Sequence, residues 1–292
     1  TMRNPLYHWT HLELSRVFGI DKVLKPETAR EIFDQCNEML QSPEFSCRSL
    51  IRKFGVDALC TTDDPVDTLE YHKALKERRF ETKVLPTWRP DRAVDIEKPT
   101  FIDYIYLLSA SADTEIYDYT DLLKALQKRH DFFEKMGCRL SDHGMDTFYS
   151  ERYDQDELNR IFIKAMKDEG LSPQEIAIYK SGLLHDLAVM DARSGWTQQF
   201  HYGPMRNNNT KMFRAIGPDT GFDSIGQSCT ARSMAGFLDR LNSMDSLGRT
   251  IIYNLNPSDN AMVASMIGNF QDGTIPGKIQ FGAGWWFSDQ KD

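Results

Sequence analysis

Residues 121–144, DLLKALQKRHDFFEKMGCRLSDHG, decide the fold. Leu122, Leu123, Leu126, His130, Phe133 and Met136 recur at helical spacing, and Gly137 follows where a helix ends in a left-handed residue. Cys138-Arg139-Leu140 then reads as a short strand, and Ser141-Asp142-His143-Gly144 as the polar turn that closes it. The unit is helix, glycine, strand, polar residues.

The same order recurs in both directions along the chain. Pro26 opens a helix with Ala29, Ile32, Phe33, Cys36, Met39 and Leu40 on one face. A further helix ends at Gly55, before a strand at Val56–Thr61. Strands are also predicted at Lys83–Thr87, Trp196–His201, Thr250–Asn254 and Lys278–Phe281. Helices are predicted around Leu69–Arg78 and at Tyr117–Met136, Asp156–Lys167, Pro173–Asp191, Thr230–Asn242 and Asp259–Phe270. Alternating strand and helix implies an α/β fold with a parallel sheet and right-handed crossovers.

An open doubly wound sheet and a closed barrel both fit this order. No G-x-G-x-x-G or P-loop follows the first strand, which weakens a nucleotide-binding open sheet. Polar and aromatic residues gather just after every strand: Asp63-Asp64, Trp88-Arg89, Asp142-His143, His201, Asn254 and Asn256, and Trp285-Trp286. A barrel brings those carboxyl ends to one face, where its active site is built. The expectation is therefore a (β/α)8 barrel. Six strands stand where eight are required, so the chain reads as an incomplete central portion lacking the first and last strands. Such a slice exposes two sheet edges and is expected to fold poorly and to be inactive alone. One domain is expected over residues 1–292, with a helical segment at about residues 1–50 that includes Tyr7–Phe18.

The 292 residues are 40% hydrophobic, enough for a buried core. A net charge of -8 argues against nucleic acid and anionic membrane as partners. An acidic substrate would then need a local cation. No apolar run reaches the ~20 residues of a membrane span. Cys36, Cys47, Cys60, Cys138 and Cys229 are odd in number, widely spaced and without C-x-x-C, as reduced cytoplasmic thiols are.

Six places carry candidate chemistry. Arg89, framed by Pro86 and Pro90, presents a planar guanidinium able to grip a carboxylate with two parallel bonds; the plainer reading is a salt bridge with Asp91. Alternation puts Gln199 and His201 on one side of their strand, facing inward, where a His ligates a metal or moves protons. Asp142 and His143 are acid/base candidates, with an ordinary turn as the alternative. Asp64-Pro65 reads as a helix N-cap and first helical residue, and Asp63 stays open. Arg206 and Asn207-Asn208-Asn209 form a hydrogen-bonded loop that either contacts sugar hydroxyls or shapes a turn. One of Trp285 and Trp286 is placed to stack on a sugar or wall a site. His8, His11, His72, His130 and His185 have helical settings and structural roles. No H-E-x-x-H and no G-x-S-x-G is present, which disfavours covalent serine chemistry.

Taken together, the stretches NPLYHW (4–9), CTTDDP (60–65), LPTWRPD (85–91), SDHG (141–144), RNNNT (206–210), GPDTGFDS (217–224), YNLNP (253–257) and GNFQDG (268–273) through WWF (285–287) resemble the uronate isomerase (glucuronate isomerase) family of the amidohydrolase superfamily. The resemblance spans essentially the whole chain. It implies a distorted (β/α)8 barrel, usually with one divalent metal such as zinc, in a cytoplasmic enzyme that assembles as a homo-oligomer. It implies interconversion of D-glucuronate with D-fructuronate and of D-galacturonate with D-tagaturonate. Arg89 matches the position associated with substrate binding, His201 the superfamily's fifth-strand His and tentative metal ligand, and Trp285 or Trp286 the pocket wall. The family's H-x-H pair of the first strand, and the Asp with a nearby Arg of the last, have no match here; that Asp is the expected principal base. The rival readings are a metal-dependent hydrolase and a non-catalytic sugar-acid binding module.

Overall fold

The computed structural model describes residues 5–226 and 230–284. Three helices lead in: α1 (Pro5–Phe18), α2 (Ala29–Leu40) and α3 (Cys47–Lys53). Their own small cluster of Leu14, Ile20 and Ile32 stands apart from the main core. The apolar face predicted for α2 is only partly covered: Ile32 is buried, while Phe33 and Leu40 stay exposed.

Alternation begins with β1 (Ala58–Cys60), α4 (Glu70–Glu77) and β2 (Lys83–Leu85). Then come α5 (Asp91–Val94), α6 (Phe101–Ala112), α7 (Tyr119–Met136) and β3 (Leu140–Met145). Next are α8 (Gln155–Met166), α9 (Pro173–Ser194), β4 (Thr197–Tyr202), β5 (Pro204–Met205), α10 (Thr210–Ile216) and β6 (Ser224–Ile225). The described chain ends with α11 (Ala231–Ser243), β7 (Thr250–Asn254), α12 (Asn260–Gly268) and β8 (Ile279–Phe281). All six predicted strands are present, and they pair in parallel: β1 with β2, and β3-β4-β7-β8 in one four-stranded sheet. Trp88 joins the two sheets, since it bridges Asp63 on one side and Ser141 on the other. Its N–H donates to Leu140 O at 3.1 Å and its carbonyl accepts from Asp142 N at 2.9 Å. Among the described residues no helix is long and apolar enough to cross a membrane.

Local chemistry sets the helix ends. Asp118 caps α7 by accepting from Asp121 N–H at 2.8 Å, and Gly137 closes it at φ 103°. Ser172 and Glu175 form a reciprocal capping box at α9, with Pro173 in its first turn. The helices cover one side of the sheet. There Phe200, Tyr202, Phe148 and Phe237 pack ring against ring at 5.3–5.6 Å between centroids.

Several expectations need correcting. The third strand runs on to Met145, so Asp142, His143 and Gly144 are strand residues rather than a turn. Pairing with β4 along its whole length holds them extended. Asp64 caps no helix. Its Oδ1 accepts from Val66 N–H at 3.1 Å and its own N–H donates to Asp67 Oδ2 at 2.8 Å, and this turn occupies the segment before α4 starts at Glu70. Cys138 is a buried residue just ahead of β3, not within it. The helix α6 has no counterpart in the sequence reading. Its run FIDYIYLLSASA is apolar on nearly every side, and packing against α5 and α7 decides its conformation. The short antiparallel pair β5–β6 is likewise new.

Candidate active site

Parallel register aligns alternate side chains of neighbouring strands on one face. Asp142 pairs with Gln199, Gly144 with His201, and His201 with Tyr253. Those residues therefore share the sheet face opposite the one packed by Phe200 and Tyr202. Arg89 follows the bridging Trp88, beyond the end of β2 at Leu85, and reaches the same face.

The side chains are linked in series. Arg89 Nε donates to Asp91 Oδ2 at 2.8 Å and Nη1 to Asp142 Oδ2 at 3.0 Å. The other Asp142 oxygen, Oδ1, lies 2.6 Å from His201 Nδ1. An ionised carboxylate only accepts, so Nδ1 carries the proton and Nε2 is left as an acceptor. Tyr253 stacks on the His201 ring at 4.2 Å and 11°, and its hydroxyl donates to Gln199 Oε1 at 3.1 Å. The imidazole is thus held by a carboxylate at one edge and an aromatic face above.

Burial pushes the Asp142 carboxyl up, but the hydrogen bond from His201 and the favourable electrostatics of His201, Arg89 and His143 outweigh it and hold the group below the usual carboxylate range. For Arg89, burial favours loss of the proton; the charge of Asp91, its hydrogen bond and the charges of Asp142 and Asp95 outweigh this, so the guanidinium stays charged. Gly144 is the contact surface. A Cβ there would lie 2.5 Å from Arg89 Nη2 and 3.2 Å from Asp91 Oδ2.

A cavity of about 400 Å³ opens over this chain of contacts, lined in part by Thr62, Arg89, Asp142, Gly144, His201 and Arg206. A second, of about 230 Å³, flanks Arg89 and is lined by Asp91, Asp95, Glu97, Tyr149 and Lys180 among others. Lys180 is buried there against Glu97 at 2.7 Å and Asp95 at 3.4 Å.

The predicted residues are distributed unevenly around the cavity. Arg89, Asp142, His201 and Arg206 meet at it. His143 does not: it points to the helix-covered face, is buried, and stacks on Phe200 at 5.1 Å. Arg206 is half exposed and bonds Asp223 Oδ2 at 2.6 Å. Asn207 adopts a left-handed backbone at φ 54°, and its N–H donates to Asp223 Oδ1 at 2.9 Å. Asn208 Nδ2 bonds Met205 O and Phe222 O, while Asn209 caps α10, so this run shapes the turn that carries Arg206. Asp63 is engaged by the Thr61 hydroxyl at 2.6 Å. His11 accepts from Leu24 N–H, and His130 pairs with Asp191 in the core. Trp285 and Trp286 lie outside the described residues. Tyr253 was missed, although β7 alternation alone marks it as facing the same way as Ile251. Asp91 was seen only as a salt-bridge partner.

Among the described residues no three His, Cys, Asp or Glu side chains converge into a group able to hold a metal ion. His201 offers Nε2, with Nδ1 committed to Asp142. That donor set does not by itself make a metal site.

The chain is similar to known proteins over its whole length. A family model described as glucuronate isomerase matches residues 1–292. A uronate isomerase of Phocaeicola vulgatus is 59% identical over 293 residues, covering 100% of this chain and 63% of that protein. The crystal structure of a uronate isomerase from Thermotoga maritima has a TM-score of 0.90 at 33% identity, covering 99% of this chain and 62% of that one. The crystal structure of glucuronate isomerase from Caulobacter crescentus has a TM-score of 0.87 at 25% identity, over 97% of this chain and 58% of that one. This chain therefore spans less than two thirds of the length of these relatives. An α/β chain with parallel strands, matched from its first residue to its last, it belongs to the glucuronate isomerase family.

Proposed function

We propose that this chain supplies the substrate cavity of an aldose–ketose isomerase that interconverts D-glucuronate with D-fructuronate and D-galacturonate with D-tagaturonate. The observation that carries this is the Arg89–Asp142–His201 series on one face of neighbouring parallel strands, in a chain of that family. The sheet is proposed to be a section of a (β/α)8 barrel, because one face packs on helices while the other gathers the polar groups.

The reaction moves a proton from C2 to C1 and shifts the carbonyl between them. Arg89 is assigned to the substrate carboxylate. Two of its donors are bound to Asp91 and Asp142, and Nη2 makes no hydrogen bond among the described residues. His201 Nε2 is the group here suited to accept and return a hydroxyl proton, with Asp142 fixing the tautomer. Arg206, on the rim of the same cavity, adds positive charge for an anionic substrate that the net charge of -8 otherwise repels.

A divalent ion, zinc by the family resemblance, is proposed for the active protein; when bound it would stabilise the enediolate oxygen. The residues described here do not fit such an ion alone, so none of the steps above runs through it. A cytoplasmic setting is proposed from the free thiols of Cys36, Cys47, Cys60 and Cys138, and a homo-oligomer from the family resemblance.

The test is proton NMR of D-glucuronate in D₂O with the full-length protein and added zinc. Growth of fructuronate signals supports the reading, and solvent deuterium in the product supports proton transfer. If neither glucuronate nor galacturonate is converted, the isomerase reading falls and a hydrolase or a binding module takes its place.

A further inference from the structure

Asp91 occupies a crossing point. One oxygen, Oδ2, accepts from Arg89 Nε at 2.8 Å and from the backbone N–H of Gly144 at 3.1 Å. It ties the turn after β2 to β3. Nε is the guanidinium donor closest to the side-chain stem, so a bond there sets the plane of the whole group. With Nε seated, Nη1 meets Asp142 at 3.0 Å and Nη2 lies flat over Gly144, where a Cβ would leave no room.

Charge alone would place no acid here. Arg89 already faces Asp142, and a second carboxylate offsets the attraction for an anionic ligand. What Asp91 adds is orientation: a long side chain loses rotamer freedom when it grips a ligand, and tying it beforehand moves that cost to folding. We propose that Asp91 is a positioning residue that, anchored on Gly144 N–H, seats Arg89 for the substrate carboxylate. This rests on the assignment of that carboxylate to Arg89.

The two effects of Asp91 predict opposite results. If it acts only as ballast of negative charge, its removal tightens uronate binding. If it positions Arg89, removal weakens it. In the full-length protein, Asp91→Ala is expected to raise KM for D-glucuronate about 10- to 100-fold, the loss typical of a hydrogen bond to a charged group. The value of kcat should stay within about threefold, because the interaction serves binding rather than the proton transfer. Asp91→Asn keeps an acceptor oxygen and should recover part of the loss. An unchanged or lowered KM in Asp91→Ala, or a fall in kcat alone, overturns the proposal.

A second readout needs no turnover. The Arg89 Nε–H signal in nitrogen-15 NMR should be protected from solvent exchange in the parent protein and lose that protection in Asp91→Ala. Equal protection in both overturns the seat. If the parent protein converts no uronate, the functional reading fails, and this signal still decides whether Asp91 holds Arg89.

Discussion

Replacing Gly144 by Ala tests the Arg89 seat from its other side. Gly144 is in β3 and has no positive φ, so alanine fits the backbone and the effect is steric. The added Cβ would start 2.5 Å from Arg89 Nη2, whereas ordinary contact begins near 3.4 Å. Nη2 must therefore retreat by about 0.9 Å. The guanidinium is tethered at Nε and Nη1, and a shift of that size stretches or breaks one tether. A displaced group near 1 Å out of place costs about 100-fold in rate, and a lost hydrogen bond to a charged group about 10- to 100-fold. The expected outcome is a fall in kcat/KM for D-glucuronate of about 10- to 100-fold, with a melting temperature lowered by no more than about 4 °C. Steady-state kinetics beside a thermal melt read both. A folded variant with kcat/KM within about twofold of the parent would refute the idea that Arg89 acts from the position it holds here.

Three further outcomes concern the His201 partner and the packing and capping of α9. Asp142→Asn removes the charge that fixes the His201 tautomer and half the pairing of Arg89, so kcat should drop by about 100-fold or more, measured under saturating uronate; a change under about threefold counts against the His201 role. In α9, a Cβ on Gly182 would lie 2.6 Å from both Leu158 methyls, so Gly182→Ala should cost about 1–3 kcal/mol in denaturant unfolding, partly recovered by adding Leu158→Val. Glu175 is held down to about 2 by Ser172 N–H first, then Lys164 and Arg160. A depressed carboxyl stabilises fully above its unfolded value of about 4.3, and that contribution disappears as pH falls toward about 2. Glu175→Gln should therefore narrow the gap to the parent protein as pH falls through this window, and a constant difference would contradict the assignment.

Much of the architecture could be read from spacing. In α7 a period-3.6 stripe with a cap and a terminal glycine leaves little freedom, and in α9 the Ser172–Glu175 capping box, Pro173 and the closing Gly195 mark the ends; both formed as expected. Short strands between such helices followed from alternation. Boundaries were less legible where pairing overrides local preference: Ser141 to Met145 carries polar and glycine residues typical of a turn, yet β4 holds it extended. The helix α6 was invisible for the opposite reason, since an apolar run without a polar face has no period to detect.

The sequence by itself determined the order of strands and helices, the parallel sheet, and the placing of Arg89 and His201 at the carboxyl-end side of their strands, because these depend on periodicities carried within short segments. The tertiary structure alone decided which of these meet. Asp142 and His143 are adjacent in the chain but on opposite faces, one bound to Arg89 and His201, the other stacked on Phe200. Asp91 and Gly144 are 53 residues apart and share a hydrogen bond. Strand register couples distant residues at distances that no local pattern encodes, and one residue's step along a strand exchanges cavity for core.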